Sequence, residues 1–392
     1  MTEKEKYKAI YRRFRPETFD EVLGQEHVVR VLLNQIAGGS VGHAYLLTGT
    51  RGTGKTTIAR LLAKGVNCLA GGDNEIPEKS VIRPCGLCSN CNEIKNGTFL
   101  DVVEIDAASN NSVDDVRDLR ESLIYQPATG RKKVIIIDEV HMFSKGAFNA
   151  LLKTLEEPPE HMLFILCTTE ANKLPATILS RCIKFEFRRV SSEKIAASMK
   201  EICKKIGVKA TDDAISVIAR NADGSVRDGL TLLENCVAAV SEELTRDLVL
   251  DVLGSPKDED IALLTEDCHD GKTAEALVRL NEMLSAGREE RRIINDWIDF
   301  LHCVLLIKHV NDPLRVINRS KDNINSIKEQ TKNYQTGFIN ESIYRLSKLF
   351  NESRYSEYTR VLLEMAVIDI CESGAKLDCH AELAMTGTDD SE

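Results

Sequence analysis

Between residues 44 and 187 five short apolar runs alternate with stretches whose apolar positions recur every three to four residues. The runs are Ala44–Thr48, Val102–Ile105, Val134–Asp138, Leu163–Thr168 and Ile183–Phe187. Runs as continuous as Val-Ile-Ile-Ile predict strands buried on both faces, and their alternation with helical patterns predicts a parallel sheet with helical crossovers. From about residue 190 the strand signals stop. Ser191-Ser192-Glu193 opens a helix carrying Ile195, Met199 and Ile202, and Thr211 caps a second with Ala214, Ile215, Ile218 and Ala219. Gly224 breaks that pattern, and Leu230, Leu233 and Val237 mark a third helix. A further helical region runs from about 256 to 373, strongest at Ile293–Ile307 and Tyr358–Cys371. Its segment Val361–Ile368 is apolar nearly all round, which predicts burial in a core or an interface.

The predicted organisation is an α/β module over 1–188 with an insert at about 66–97. A three-helix unit over 189–247 follows, then an all-α domain over 248–375. The stretch 376–392 is polar and acidic and is expected to lack order. There is no internal repeat and no long low-complexity tract.

Composition narrows this picture. The chain has 392 residues, 43% hydrophobic and 29% charged, as expected for about two to four globular domains. No stretch approaches the roughly 18 consecutive apolar residues of a membrane span. The start Met-Thr-Glu-Lys-Glu-Lys lacks a signal-peptide core, so a cytoplasmic location is expected. The net charge of -10 is uneven. Residues 1–190 hold 26 Lys+Arg and 24 Asp+Glu, a net of +2; residues 191–392 hold 25 and 37, a net of -12. Direct phosphate binding is therefore improbable in the acidic half and open in the front half.

Gly49-Thr-Arg-Gly-Thr-Gly54-Lys55-Thr56 fits the P-loop pattern in full, after the first strand and before the helical run Ile58–Lys64. Gly49, Gly52, Thr53, Gly54 and Thr57 belong to a loop whose backbone N–H groups close around phosphates at a helix start. Lys55 is expected to reach the β/γ-phosphates of ATP, and the Thr56 hydroxyl to ligate Mg²⁺. A chance Gly-rich turn is the competing reading, and the strand–loop–helix context argues against it. Asp138, ending a buried strand, is the second magnesium residue, and Glu139 is placed to orient and deprotonate the attacking water. The competing reading there is a charged cap on a strand.

Three further positions are candidates for hydrolysis. Thr168 and Thr169 end a buried strand, where a hydroxyl can sense the γ-phosphate. Arg181, in Ser180-Arg181-Cys182, is poorly placed for its own nucleotide and suits a neighbour's, as a finger in trans. An ordinary surface ion pair is the alternative. Arg227, opening the third helix of the small unit, can fold over the nucleotide or simply sit on a helix surface.

Cysteine usage adds a metal. Cys85-Gly-Leu-Cys88-Ser-Asn-Cys91 gives three thiols at x2 spacing, with Cys68 upstream. Four thiolates complete a closed tetrahedral Zn²⁺ site in an insert otherwise poor in apolar residues. Iron–sulfur runs share the spacing but usually continue with a fourth cysteine close downstream; unligated thiols are the remaining alternative. The other eight cysteines lie among apolar neighbours and read as small buried hydrophobes.

Together these residues resemble one family closely, the gamma/tau subunit of bacterial DNA polymerase III, the ATPase of the sliding-clamp loader. The resemblance begins at Tyr11-Arg-Arg-Phe-Arg-Pro16 and Phe19-Asp-Glu-Val-Leu-Gly-Gln25, and continues through His43-Ala-Tyr-Leu-Leu, the P-loop and the four cysteines. It includes Glu104-Ile-Asp-Ala-Ala-Ser-Asn110, Ile137-Asp-Glu-Val-His-Met142 and Asn149–Pro159. It ends with Lys173–Cys182 and Gly224-Ser-Val-Arg-Asp228, dense to about residue 240 and looser to about 373.

The resemblance implies an AAA+ P-loop module, an all-α lid and an all-α collar joining subunits into a five-membered ring. It implies partners of the delta and delta prime type, further copies of the chain, a sliding clamp and primer–template DNA. It makes Arg181 the trans finger, Arg227 the lid sensor and Thr168 or Thr169 the first sensor, with Thr168 favoured as the one nearer the strand end. Residues matching Tyr11, Arg12, Pro16 and Val22 line the adenine end of the pocket. Longer family members carry further C-terminal domains, so the chain resembles a short form or a truncated product.

Two other functions compete. Asp138-Glu-Val-His141 fits the D-E-x-H pattern of helicases, which suggests a helicase or branch-migration motor. No basic helicase domain or aromatic stacking platform accompanies it, and aromatic content is only 5%. A nucleotide-binding scaffold that never hydrolyses ATP is the other; the intact Lys55, Thr56, Asp138 and Glu139 weigh against it. Asn110-Asn111-Ser112 and Arg131-Lys132-Lys133 are weak candidates for DNA phosphates, and a solvated loop is the commoner explanation of each.

Overall fold

The computed structural model describes residues 9–70, 84–114, 116, 125–240, 242–256, 258–313, 316–317 and 321–386. They pack as two compact units, Met1–Lys205 with Ile218–Glu234, and Ile206–Val217 with Asn235–Glu392. The division passes through the predicted three-helix unit, whose helices are α7 (Ser192–Ile206), α8 (Asp212–Asn221) and α9 (Val226–Ala238).

Among the described residues the first unit opens with a single turn, α1 (Ile10–Arg13), and α2 (Glu26–Ala37). Its sheet holds β1 (Ala44–Thr48), β2 (Val102–Asp106), β3 (Lys133–Asp138), β4 (Met162–Thr168) and β5 (Ile183–Glu186). The spatial order is β2-β3-β4-β1-β5, and every neighbouring pair is parallel. The helices α3 (Lys55–Asn67), α4 (Ser89–Asn96), α5 (Lys145–Glu156) and α6 (Ala176–Leu179) connect these strands.

Both faces are buried, which is why the strands read as continuous apolar runs. Tyr45, Leu47, Val134, Ile136 and Ile165 pack with Leu32, Ile58 and Leu62. Leu46, Ile135, Ile137, Phe164 and Leu166 pack on the opposite face with Phe148, Leu151 and Ile178. Each such fully buried side chain contributes about 1.5–3 kcal/mol. An exposed pair such as Arg60–Glu104, at 2.7 Å, contributes about 0–1 kcal/mol. The apolar layers, rather than surface charge, therefore hold the strand ends that carry the candidate chemistry.

Buried polar groups tie the loops to this frame. Asn67, fully buried, accepts from the N–H groups of Arg131 and Lys132 at 2.8 and 2.9 Å and donates to Lys132 O at 3.0 Å. Asp101 accepts from the backbone N–H groups of Ala128, Thr129 and Gly130 at 2.7–2.8 Å. Burial opposes ionisation of Asp101, but these donors outweigh it and hold its carboxyl below the usual value.

In the second unit, β6 (Lys209–Ala210) and β7 (Glu243–Leu244) form a parallel pair. This corrects the expectation that strands end near residue 190; two residues are too few to show a period. The helices are α10 (Arg246–Leu253), α11 (Asp258–His269), α12 (Thr273–Ser285), α13 (Glu290–His309), α14 (Lys321–Gln330), α15 (Thr336–Glu352) and α16 (Thr359–Thr386). Trp297 lies at the centre of their core, its indole N–H donating to Thr265 Oγ1 at 2.8 Å. The all-round apolar stretch of α16 is in fact two-sided. Leu363, Val367, Ile370 and Cys371 are buried, whereas Val361, Met365 and Ile368 are 50%, 56% and 37% exposed. The helix also runs to Thr386, past residue 376 where the sequence predicts loss of order; residues 387–392 lie outside the described residues.

Candidate nucleotide site and cysteine cluster

The carboxyl ends of β1, β3 and β4 lie side by side, the edge at which open parallel sheets carry ligands. The P-loop leaves β1 there. Gly49 has φ 145, and a Cβ on it would come within 2.5 Å of Phe187 O. Gly52 has φ 75, and a Cβ there would lie 1.9 Å from Ser225 Oγ and 3.3 Å from Arg227 Cβ. Only glycine permits the loop and the start of α9 to approach this closely. Gly54 ends the loop as the residue before α3.

Lys55 is buried, and its Nζ donates to Gly49 O at 2.7 Å and Thr50 O at 2.9 Å. Burial lowers its pKa, opposed by Glu139, Cys167 and Asp138. Thr53 Oγ1 donates to Thr50 O at 2.8 Å. Thr56 Oγ1 donates to Asp138 Oδ2 at 2.8 Å, which brings the two predicted magnesium residues together. Glu139, just beyond, has φ 47, and its Oε2 accepts from Thr169 Oγ1 at 3.1 Å and Thr169 N–H at 3.3 Å. Thr168 is fully buried and lies 3.0 Å from His141 Nδ1. The hydroxyl on Glu139 is thus that of Thr169, while the favoured sensor, Thr168, faces His141.

Arg227 places its guanidinium 4.9 Å from the Tyr11 ring centroid, and Arg12 lies 5.7 Å from the same centroid. Arg12 Nε donates to Tyr11 Oη at 3.0 Å; this bond first lowers the phenol pKa, burial opposes it, and Arg227 then adds to the lowering. Val22 is buried with Phe19 and Val28 behind the sheet, and Pro16 is half-buried. Arg181 points elsewhere. Its guanidinium meets Glu156 Oε1 at 2.8 Å and Thr177 O at 2.8 Å.

Within the stretch Tyr11 to Pro16 expected at the adenine end, Arg15 was not singled out, yet its Nε donates to Thr57 Oγ1 at 3.1 Å. Burial, then the neighbouring Arg60, lowers its guanidinium pKa, partly offset by Glu104 and Asp138. Its burial and its contact with Thr57 come from tertiary packing, and no spacing rule reports them. His141 and Ser225 escaped assignment for the same reason, and Thr169, a candidate sensor, was not expected to touch Glu139.

Cys68, Cys85, Cys88 and Cys91 bring their sulfur atoms within 4.8 Å of one another. A tetrahedral zinc ion with bonds of about 2.3 Å needs sulfur separations of about 3.8 Å, so the cluster is compatible with zinc. Gly86 turns the knuckle with φ 70, and the N–H groups of Cys85 and Cys88 point at Cys68 Sγ and Cys85 Sγ at 3.4 Å. The hydrogen bond with Cys91 holds the pKa of the Cys68 thiol down to about 4 while that of Cys91 rises. Residues 71–83 of the insert lie outside the described residues. Of the other cysteines, Cys167, Cys203, Cys236, Cys268, Cys303 and Cys371 are buried and Cys182 is half-buried; Cys379 lies outside the described side chains.

Comparison with known proteins places this geometry. Residues 24–191 match the family described as DNA polymerase III, delta subunit. Residues 194–242 match the DNA polymerase III clamp loader subunit, ATPase lid domain, and 244–381 match DNA polymerase III subunits gamma and tau domain III. DNA polymerase III subunit gamma of Buchnera aphidicola subsp. Schizaphis graminum is 39% identical over 329 residues, 83% of this chain and 88% of that protein. The chain belongs to the DNA polymerase III gamma/tau family.

Subunit tau of Bacillus subtilis (strain 168) is 40% identical over 367 residues, 94% of this chain but 64% of that protein. Against tau of Escherichia coli (strain K12) the identity is 42%, over 46% of that protein. The chain thus spans about half to two-thirds of these tau relatives. Among solved structures, the Thermotoga maritima RuvB Holliday junction branch migration motor overlays with a TM-score of 0.47 at 21% identity. That overlay covers 65% of this chain and 78% of RuvB. The parallel sheet, the P-loop and the lid match make the first unit an AAA+ module. No helix among the described residues is long and apolar enough to cross a membrane.

Proposed function

We propose that the chain is the ATP-hydrolysing subunit of a cytoplasmic sliding-clamp loader. The reading is carried by the convergence of Lys55, Thr56, Asp138 and Glu139 at one sheet edge in a gamma/tau chain. ATP binds along Gly49–Thr57, with Lys55 released from its loop carbonyls to the phosphates. Thr56 and Asp138 would hold Mg²⁺, which would supply positive charge to offset that of the phosphates. Glu139 takes the proton of the attacking water. Arg227 closes over the nucleotide beside Tyr11, with Arg12, Pro16 and Val22 at the adenine end; Thr168 reports on the γ-phosphate end, and Arg181 enters a neighbour's site. ATP binding opens the clamp and admits primer–template DNA, and hydrolysis releases the closed clamp. The partners are delta-type and delta prime-type subunits and further copies of the chain in a five-membered ring.

The test is steady-state ATP hydrolysis by the chain with its loader partners. Strong stimulation that needs both clamp and primed DNA is the expected result. Equal stimulation by any DNA, with strand separation and no effect of the clamp, would support a helicase. Nucleotide binding without turnover under every condition would support a scaffold.

The cysteine quartet is proposed to hold zinc as four thiolates that close the insert. The purified chain should contain about one zinc per chain by atomic emission. Cys88→Ser should lose it, and retention of a full equivalent would remove Cys88 from the ligand set.

A further inference from the structure

His141 has no part in the roles assigned above, yet its partners are functional-site groups rather than scaffold. It sits on a short turn, Val140–Met142, after β3, with its side chain only 7% exposed. Nδ1 lies 3.0 Å from Thr168 Oγ1 and 3.4 Å from Glu139 Oε2, and Nε2 lies 3.4 Å from Glu170 Oε1. The two carboxylate contacts are long for hydrogen bonds, so the Thr168 contact is the tight one. Thr168 Oγ1 also accepts from Glu170 N–H at 3.0 Å, which fixes that hydroxyl from a second side. The ring therefore bridges the end of β3 to the end of β4.

The convergence on Glu139 is one-sided. Thr169 N–H, Thr169 Oγ1 and His141 Nδ1 all face Oε2. Among the described residues no hydrogen bond engages Oε1. Glu139 also has left-handed backbone, so strand geometry does not set the direction of its carboxylate. Its aim depends on what grips the end of the side chain.

We infer that His141 is a positioning residue for hydrolysis, holding Glu139 with Thr169 by Oε2 so that Oε1 meets the attacking water. Because the same ring nitrogen rests on Thr168, a shift at the end of β4 changes the aim of the base. The inference rests on the proposed ATPase reading.

The test uses the assembled loader with clamp and primed DNA, comparing wild type, His141→Ala, His141→Asn and His141→Gln. A fluorescent ATP analogue measures affinity, and thermal melting reports folding. His141→Ala should lower stimulated kcat about 10- to 100-fold, the scale of a misplaced catalytic group. ATP affinity and melting temperature should stay near wild type. His141→Asn, whose amide nitrogen falls near Nδ1, should recover more activity than His141→Gln, whose amide falls near Nε2. In a Glu139→Gln background His141→Ala should cost little more, because groups acting as a unit are not additive. A kcat within twofold of wild type in His141→Ala would overturn the inference. So would parallel losses of affinity and melting temperature in all three variants, or full additivity with Glu139→Gln. A wild-type assembly that never turns over ATP would overturn the ATPase reading and this inference together, before any variant is compared.

Discussion

Exchange of Glu139 for glutamine is expected to leave ATP bound while turnover falls by a factor of about 10²–10⁴. Glutamine keeps the size of the side chain and can still accept from Thr169 through its carbonyl oxygen. It cannot take a proton from water at neutral pH. Lys55, Thr56 and Asp138, which carry the phosphate and magnesium roles, are untouched. Binding and chemistry should therefore separate, with affinity for a fluorescent ATP analogue near wild type and steady-state hydrolysis nearly lost. Unchanged turnover would remove Glu139 from the role of base. Loss of binding would make Glu139 a structural group of the nucleotide site instead.

The second large effect belongs to Arg181. An arginine finger contributes about 10³–10⁵ to kcat, so Arg181→Ala should abolish clamp- and DNA-stimulated hydrolysis while sparing ATP affinity. Its ion pair with Glu156, at 2.8 Å with side chains 33% and 50% exposed, is a surface pair contributing about 0–1 kcal/mol. A loss of that size therefore cannot come from unfolding. Mixing supplies the sharper check. Lys55→Ala chains should restore part of the activity of Arg181→Ala chains by lending Arg181 to an intact neighbouring nucleotide site. A defect confined to ATP binding, or absence of complementation, would return Arg181 to its surface pair.

The nucleotide end of the fold was legible in the sequence because strands buried on both faces leave uninterrupted apolar runs. The P-loop also needs glycine where Gly49 and Gly52 meet Phe187 and Ser225. The cysteine quartet was legible from spacing alone. Contacts between distant segments were not. Arg15 reaches Thr57 across 42 positions, and Thr169 reaches Glu139 across 30, separations that no periodicity encodes. The same limit explains the two hydroxyls at the end of β4. Their order in the chain favoured Thr168, and only packing shows that Thr169 touches Glu139 while Thr168 meets His141. The second unit was legible as helices but not as faces. Val361, Met365 and Ile368 lie opposite the buried stripe of α16, and hydrophobicity alone does not say which side meets the core.

The most direct test of the clamp-loading role follows a labelled sliding clamp onto primed circular DNA, separated by gel filtration after incubation with the assembled loader. With ATP and wild-type chain, clamp should travel with the DNA. With Lys55→Ala it should stay in the free fraction, whatever partners are present. Equal transfer by wild type and Lys55→Ala, or no transfer by a wild-type assembly that hydrolyses ATP, would contradict an ATP-driven clamp loader.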